Sequence, residues 1–301
     1  MRRAFSSLVS RRQHQRTRPR RSCLFVPAGS KAMGKVQTIP ADSAILDLED
    51  AVSPSFKAEA RASAVDFLRQ QTFQKEVALR INALDTEWGE ADVRAVAELG
   101  RGELDMVVLP KVEGEHHVHQ LERLLDSCGA DESLGIACMI ETPRGVLRAE
   151  EIAGASDRVV CIIAGTSDLT TDLRAMHVPS REPLLTSLSL CVLAARAHDI
   201  AVLDGVYLNF RDADGFEEAC VQGRQLGFDG KTVIHPSQVQ IANSAFSPSE
   251  TEIANASRII EAYEEALSKG KGVATLDNTL IENLHVKEAR RILQFQSGIT
   301  L

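Results

Sequence analysis

Two kinds of hydrophobic pattern alternate along the middle of the chain. Continuous apolar runs such as Gly135-Ile-Ala-Cys-Met-Ile and Val159-Val-Cys-Ile-Ile-Ala have the length of strands buried on both faces, as in a parallel sheet. Between such runs, segment 118–125 repeats apolar residues at three- and four-residue spacing, which gives a helix one buried stripe. The pattern therefore predicts an α/β fold in which strands and helices alternate.

Apolar runs of this kind recur eight times. We expect strands at 23–27, 43–48, 76–81, 106–111, 135–140, 159–163, 201–207 and 231–235. Helical patterns lie between them, for example at 115–127, 183–198 and 215–226. Eight strand–helix units over about 215 residues match a (β/α)8 TIM barrel. The alternative is an open doubly wound sheet, but no glycine-rich dinucleotide fingerprint follows the first strand.

The last part of the chain departs from this alternation. Helical patterns at 237–245 and 249–268 precede two short apolar segments around Asp277-Asn278, a pair typical of a hairpin turn. A final helix is expected at 286–296. These elements exceed what an eighth barrel helix requires. We therefore predict a barrel over residues 22–246 and a helix–hairpin–helix lobe over residues 247–301, which acts as a lid or an oligomerisation element.

The beginning of the chain has its own composition. Residues 1–41 contain eight Arg, two Lys and no acidic residue, whereas the remainder contains 24 basic and 42 acidic residues. Residues 1–21 are Arg-rich, and Phe5, Leu8 and Val9 fall on one potential helical face. This composition is typical of a mitochondrial transit peptide. We expect a mitochondrial matrix protein; the alternative is a cytoplasmic protein with a disordered basic tail.

Composition also narrows the class of function. No apolar stretch approaches the roughly 18 residues of a membrane span. The six cysteines form no Cys-x-x-Cys pair, which argues against a zinc site or a disulfide framework. Outside the basic start the net charge is −18, that is 24 basic minus 42 acidic residues, and this charge would repel nucleic acid. An anionic substrate would need local positive charge from a metal ion and a positioned arginine.

Two carboxylates occupy positions where a barrel enzyme holds its chemistry. Glu141 follows the fifth predicted strand and Asp168 follows the sixth. Catalytic groups of TIM barrels lie at the carboxyl ends of the strands. Neighbouring strands are about 4.8 Å apart, so both side chains can reach one cation. The alternative is a helix cap or a rim ion pair, because Asp168 also precedes the helical pattern at 169–176.

Six stretches, in order, resemble motifs of the citrate lyase β-subunit-like family, within the HpcH/HpaI aldolase superfamily. They are Leu24-Phe-Val-Pro27, Ile45-Leu-Asp-Leu-Glu-Asp-Ala-Val52, Arg80-Ile-Asn82, Leu109-Pro-Lys-Val112, Ile140-Glu-Thr142 and Gly227-Phe-Asp-Gly-Lys-Thr-Val-Ile-His-Pro236. The likeness covers residues 22–296. Within the family the chain is most similar to malyl-CoA lyase and malyl-CoA thioesterase-like members, through Gly165-Thr-Ser-Asp-Leu169 and Leu280-Ile-Glu-Asn-Leu-His285.

The resemblance implies roles for particular residues. The fold would be a phosphoenolpyruvate/pyruvate-type TIM barrel, with Glu141 and Asp168 as Mg²⁺ ligands and Glu141 also in contact with the substrate. Mg²⁺ prefers oxygen ligands and keeps positions open for water and substrate. Arg80 would bind the substrate carboxylate through its bidentate fork, unless it is only a rim salt-bridge residue. Glu49 and Asp50 would support the water ligands of the metal.

The resemblance also implies an activity. It is that of a Mg²⁺-dependent acyl-CoA lyase, which cleaves malyl-, citramalyl- or citryl-CoA to acetyl- or propionyl-CoA and a 2-oxo acid. The partners would be these small molecules and further copies of the chain, in a trimer or hexamer. Glu282 occupies the position where the lyases of the family carry a catalytic Asp, and Thr166-Ser167 replaces a small residue and Glu. A thioesterase, an aldolase acting on free 2-oxo acids and a non-catalytic binding barrel are therefore the alternatives.

Overall fold

Eight parallel strands form a closed barrel. The structure is a computed structural model that describes residues 18–299; most of the predicted leader, residues 1–17, lies outside the described residues. The strands are β1 Ser22–Pro27, β2 Ser43–Asp47, β3 Glu76–Arg80, β4 Met106–Leu109, β5 Gly135–Ile140, β6 Val159–Ala164, β7 Ala201–Asp204 and β8 Gly230–Val233. Each strand pairs with the next, and β1 pairs with β8, where Leu24 lies opposite Val233. The predicted TIM barrel is confirmed.

A 3₁₀ turn at Met33–Lys35 lies between β1 and β2, and α-helices follow each of the later strands. They are α1 Lys57–Gln70, α2 Gly89–Ala97, α3 Glu115–Ser127, α4 Pro143–Leu147, α5 Ala149–Ala153, α6 Thr166–Asp172, α7 Leu185–Ala197, α8 Ala213–Leu226 and α9 Pro236–Ala245. Short 3₁₀ turns precede α1 and α7 at Pro54–Phe56 and Glu182–Leu184. The predicted ends of β7 and β8, at Tyr207 and His235, lie beyond the observed ends at Asp204 and Val233. His235 is not in a strand but caps α9, where its Nδ1 accepts the Ser237 N–H at 3.2 Å.

The apolar residues form two barrel layers. One cluster contains strand residues alone, among them Ile45, Ala78, Val108 and Met139, and these side chains fill the inside of the barrel. The other cluster joins the alternate strand positions to the helices, as with Leu46 and Leu68. Side chains alternate between the two faces of a strand. Arg80, two residues after Ala78, therefore lies on the inner face at the carboxyl end of β3.

A buried ion pair lies at the amino end of the barrel. Arg20 Nε and Nη2 donate to the two carboxylate oxygens of Glu76 at 2.7 Å each, with side-chain exposures of 0% and 1%. Gly230 is required here, because a Cβ at that position would lie 1.8 Å from the carbonyl oxygen of Arg20. Arg21 pairs with Asp42 at 2.7 Å. The predicted boundary after Arg21 is therefore too late, since Arg20 and Arg21 are part of the barrel base.

The chain divides into two compact units between Phe246 and Ser247. The second unit contains α10 Glu250–Ser268, a hairpin of β9 Ala274–Leu276 and β10 Thr279–Ile281, and α11 Asn283–Ile299. Asp277 and Asn278 form the hairpin turn with φ of 49° and 63°, as primed turns require, so this predicted turn is confirmed. In neither unit, over residues 18–299, is a helix both long and apolar enough to cross a membrane.

Candidate active site at the carboxyl end of the barrel

Arg80 is the centre of the site. Its Nε and Nη2 atoms donate to the two oxygens of Asp47 at 2.7 Å each, and its guanidinium lies 4.8 Å from the centroid of the Phe25 ring. Asp47 is buried and also accepts the N–H groups of Glu49 and Ala51. The fork of Arg80, predicted for a substrate carboxylate, is thus occupied on one edge by Asp47. A ligand can use only the other edge, which carries Nη1.

That second edge faces Glu49. Arg80 Nη1 lies 2.8 Å from one oxygen of Glu49 and 3.9 Å from the carboxylate of Asp50. Glu49 is buried, whereas Asp50 is exposed. Burial and the nearby charge of Asp50 raise the pKa of Glu49 to about 7, although Arg80 opposes this shift. The predicted pair Glu49 and Asp50 therefore lies beside Arg80, with Glu49 in direct contact.

Glu141 lies across the barrel mouth from β2, directly after β5. One of its oxygens accepts the backbone N–H of Lys111 at 2.7 Å. A Cβ on Gly165 would lie 2.3 Å from the Glu141 Cβ and 2.5 Å from its other oxygen, so only glycine admits this side chain. Burial, together with the charge of Glu49, raises the pKa of Glu141 to about 8. Glu141 thus lies among other carboxyl groups, and these surroundings favour the binding of a cation beside it.

Asp168 and Lys111 complete the cluster. Asp168 is in the first turn of α6 and is half-buried, and its charge contributes to the raised pKa of Glu141. Lys111 is exposed, adopts φ of 51°, and places its ammonium 3.6 Å from Glu49. Lys111 therefore faces the pocket, although its backbone N–H also orients Glu141.

The donor set fits a hard divalent cation. Five carboxyl groups (Asp47, Glu49, Asp50, Glu141 and Asp168) lie around two cations, Arg80 and Lys111, so acidic groups outnumber basic ones. All the side-chain donors are oxygens, as Mg²⁺ prefers. Within residues 18–299, no three His, Cys, Asp or Glu side chains converge into a metal cage. A cation held by Glu141 and Asp168 would therefore keep coordination positions for water and ligand.

Sequence reasoning missed Asp47. It is the inner-face residue two positions after Ile45, at the end of an apolar strand, and this is the same signal that identified Glu141. The predicted catalytic residue Glu282 belongs to the second unit, between β10 and α11, and is exposed. Its backbone N–H donates to His285 Nδ1 at 3.0 Å. Within the first unit, Arg80, Glu49, Glu141 and Asp168 lie at one barrel mouth.

A closed parallel barrel with an arginine and acidic side chains at the carboxyl ends of its strands has the architecture of a TIM-barrel enzyme. The chain belongs to the HpcH/HpaI aldolase/citrate lyase family, whose sequence model matches residues 21–236. The family resemblance drawn from the six sequence motifs is thereby confirmed.

Three known proteins cover nearly the whole chain. The (3S)-malyl-CoA thioesterase of Cereibacter sphaeroides is 43% identical over 278 residues, which are 91% of this chain and 94% of that protein. The citrate lyase subunit beta of Escherichia coli is 36% identical over 288 residues, which are 93% and 94% of the two chains. The crystal structure of CitE from Mycobacterium tuberculosis in complex with magnesium, acetoacetate and coenzyme A has a TM-score of 0.75, with 27% identity over 94% of this chain and 99% of that one.

Proposed function

We propose that this protein is a Mg²⁺-dependent acyl-CoA lyase. It cleaves a 3-hydroxy-dicarboxyl- or tricarboxyl-CoA, such as malyl-, citramalyl- or citryl-CoA, to acetyl- or propionyl-CoA and a 2-oxo acid. The observation that carries the proposal is that Arg80, Glu141 and Asp168 lie at one barrel mouth, at or just after the carboxyl ends of β3, β5 and β6. An arginine for a carboxylate beside oxygen ligands for a hard cation forms a binding site for a 2-oxo acid.

Glu141 and Asp168 would hold the Mg²⁺, as the complexes of related structures with magnesium support. When bound, the ion would polarise the carbonyl oxygen of the 2-oxo acid as a Lewis acid. Lys111 keeps Glu141 oriented through its backbone N–H, and Gly165 leaves the other oxygen of Glu141 room. The protein thus holds Glu141 in place, and Asp168 in the first turn of α6 would supply the second oxygen ligand.

Arg80 would hold the carboxylate of the keto acid on the edge that carries Nη1. Asp47 anchors the opposite edge, so the guanidinium cannot rotate when a ligand binds. An incoming carboxylate must take over the contact that Glu49 now makes. We expect Glu49 to turn towards the water ligands of the metal, which agrees with its predicted supporting role.

Hydrolysis of the same thioester is the second candidate function. The observation that favours it is the 43% identity to proteins named (3S)-malyl-CoA thioesterase. Glu282 would act as the base in either reaction, on the acyl-CoA methyl carbon or on a water that attacks the thioester. We propose that the lobe over residues 247–301 brings Glu282 to a barrel mouth within a homo-oligomer, and that the protein works in the mitochondrial matrix.

One assay separates the candidates. The purified protein would be given malyl-CoA, citramalyl-CoA and citryl-CoA with Mg²⁺, and both the 2-oxo acid and the free thiol would be measured. A lyase releases the 2-oxo acid with an acyl-CoA and no free thiol, whereas a thioesterase releases free CoA without keto acid. Keto acid formation from a CoA-free substrate would support the aldolase alternative. Absence of any product from all of these would contradict the proposed enzyme.

A further inference from the structure

Lys57, at the start of α1, is a buried lysine directly behind the site. Its ammonium donates to the carbonyl oxygens of Leu48 and Glu49 at 2.7 Å each and to the side-chain oxygen of Asn82 at 2.6 Å. An ammonium has three N–H donors, and here each has an acceptor. Lys57 is therefore saturated, and nothing in its surroundings requires it to take part in a reaction itself.

The three acceptors belong to two chain segments. Leu48 and Glu49 follow β2, and Asn82 follows β3 by two residues. Glu49 provides the carboxylate that meets Arg80, and Arg80 is the last residue of β3. A single side chain thus ties together the two strand ends whose side chains form the arginine site.

The attachment to β3 is itself rigid. Asn82 donates from its backbone N–H and its side-chain nitrogen to the same oxygen of Asp92, at 2.8 and 2.6 Å. Asp92 is fully buried, and its other oxygen accepts from Arg61 at 2.6 Å. This network sets the Asn82 amide with its oxygen towards Lys57. A continuous set of charge-assisted hydrogen bonds therefore links α1, α2 and the ends of β2 and β3.

We propose that Lys57 is a positioning residue, which fixes the backbone after β2 and β3 and so places Glu49 and Arg80 at the site that receives a 2-oxo acid. The functional part of this proposal rests on the proposed function; the positioning part rests on the hydrogen bonds alone. The three hydrogen-bond acceptors of the Lys57 ammonium include neither of the predicted metal ligands, Glu141 and Asp168. Displacements near 1 Å in a site can cost on the order of 10²-fold in rate.

The test compares two equally buried lysines. Lys57→Met removes the link behind the site. Lys231→Met is the matched control: Lys231 is buried on β8 and pairs with Asp204 at 2.8 Å, while Arg181 keeps that carboxylate paired in the variant. Two quantities would be measured: amide hydrogen exchange of residues 47–52 and 80–82, and calorimetric affinity for oxaloacetate with saturating Mg²⁺.

We expect Lys57→Met to speed amide hydrogen exchange in both segments and to lower the affinity for oxaloacetate at least tenfold. We expect Lys231→Met to lower the melting temperature without either effect. Equal losses in both variants, or unchanged exchange in Lys57→Met, would overturn the positioning role. If the wild-type protein bound no oxaloacetate, glyoxylate and pyruvate would be titrated in its place. Binding of none of the three would contradict the proposed function, while hydrogen exchange would still decide the role of Lys57. If Lys57→Met does not fold, Asn82→Ala removes one of the three acceptors and should change the same segments less.

Discussion

The two ends of strand β3 show how differently one barrel treats charge. At the amino end, Glu76 forms a one-to-one pair with Arg20 that is sealed from solvent. At the carboxyl end, four residues along the same face, Arg80 meets Asp47 with equal geometry, but Glu49 and Glu141 add two further carboxyl groups whose burial raises their pKa values. The base therefore stabilises the fold, whereas the mouth holds more carboxyl groups than cations, and a divalent cation can bind these groups in their deprotonated form. This division matches the general separation of stability and catalysis in TIM barrels.

The largest effect is expected from variants that remove the predicted oxygen ligands at the barrel mouth. Glu141→Gln and Asp168→Asn should each lower Mg²⁺-dependent turnover by roughly 10³-fold or more, because the amide replaces a negatively charged metal ligand. The melting temperature should change little. Asp172→Asn is the control, since Asp172 is an exposed carboxylate on the same helix. Full activity in excess EDTA, or in either variant, would contradict the metal assignment.

At the amino end of the barrel, a chain shortened to remove Arg20 should lose stability. A protein that begins at Ser22 lacks Arg20, so Glu76 remains as a buried charge without its partner. Breaking such a pair costs about 3–5 kcal/mol. A protein that begins at Arg18 keeps the pair and should unfold in urea like the full chain. If the proposed leader is removed, the same reasoning predicts cleavage before Arg20, and a native mature chain whose N-terminus follows Arg20 would contradict this prediction.

Conservative changes of the two arginines sharpen the comparison. Arg80→Lys keeps the charge but loses the planar fork, so affinity for the 2-oxo acid should fall by roughly 10- to 100-fold. Arg20→Lys makes the same change at the base and should lower stability without changing that affinity. Calorimetric titration and urea unfolding of both variants separate the effects. Equal oxo-acid affinity of Arg80→Lys and the wild type would show that Arg80 is only structural.

Much of this molecule is predictable because its patterns are local. The eight apolar runs predict the barrel, and the position of Glu141 after such a run predicts its place at the mouth. The Asp47–Arg80 pair escaped prediction because it joins residues 33 positions apart through the barrel register, which no local pattern encodes. Composition places Arg20 in the leader because residues 1–21 share one Arg-rich composition. The burial of the Arg20 side chain depends on closure of the barrel, which composition does not encode.

Variants of Glu282 test whether the second unit contributes to the proposed reaction. In a lyase, Glu282→Asp should retain or raise cleavage, because it restores the residue that the family's lyases carry. In a thioesterase, the shorter side chain should withdraw the base from water and slow hydrolysis, by up to roughly 10²-fold. Glu282→Gln should impair either reaction. Unchanged rates in both variants would mean that the second unit provides no chemistry.

The smallest effect concerns pH. The pKa values of Glu49 and Glu141, about 7 and about 8, exceed the ordinary value of 4.5, mainly through burial. Because the native state then holds protons that the unfolded chain releases, their contribution to stability is complete below about pH 4.5 and is lost as the pH rises through 7 and 8.

A divalent cation binds the deprotonated carboxylates, so Mg²⁺ should release protons near pH 7 and should raise the melting temperature more at pH 8 than at pH 6. Calorimetry in two buffers of different ionisation enthalpy counts the protons, and Glu141→Gln should abolish most of their release. A stabilisation by Mg²⁺ that is equal at both pH values would mean that the ion binds away from these carboxylates.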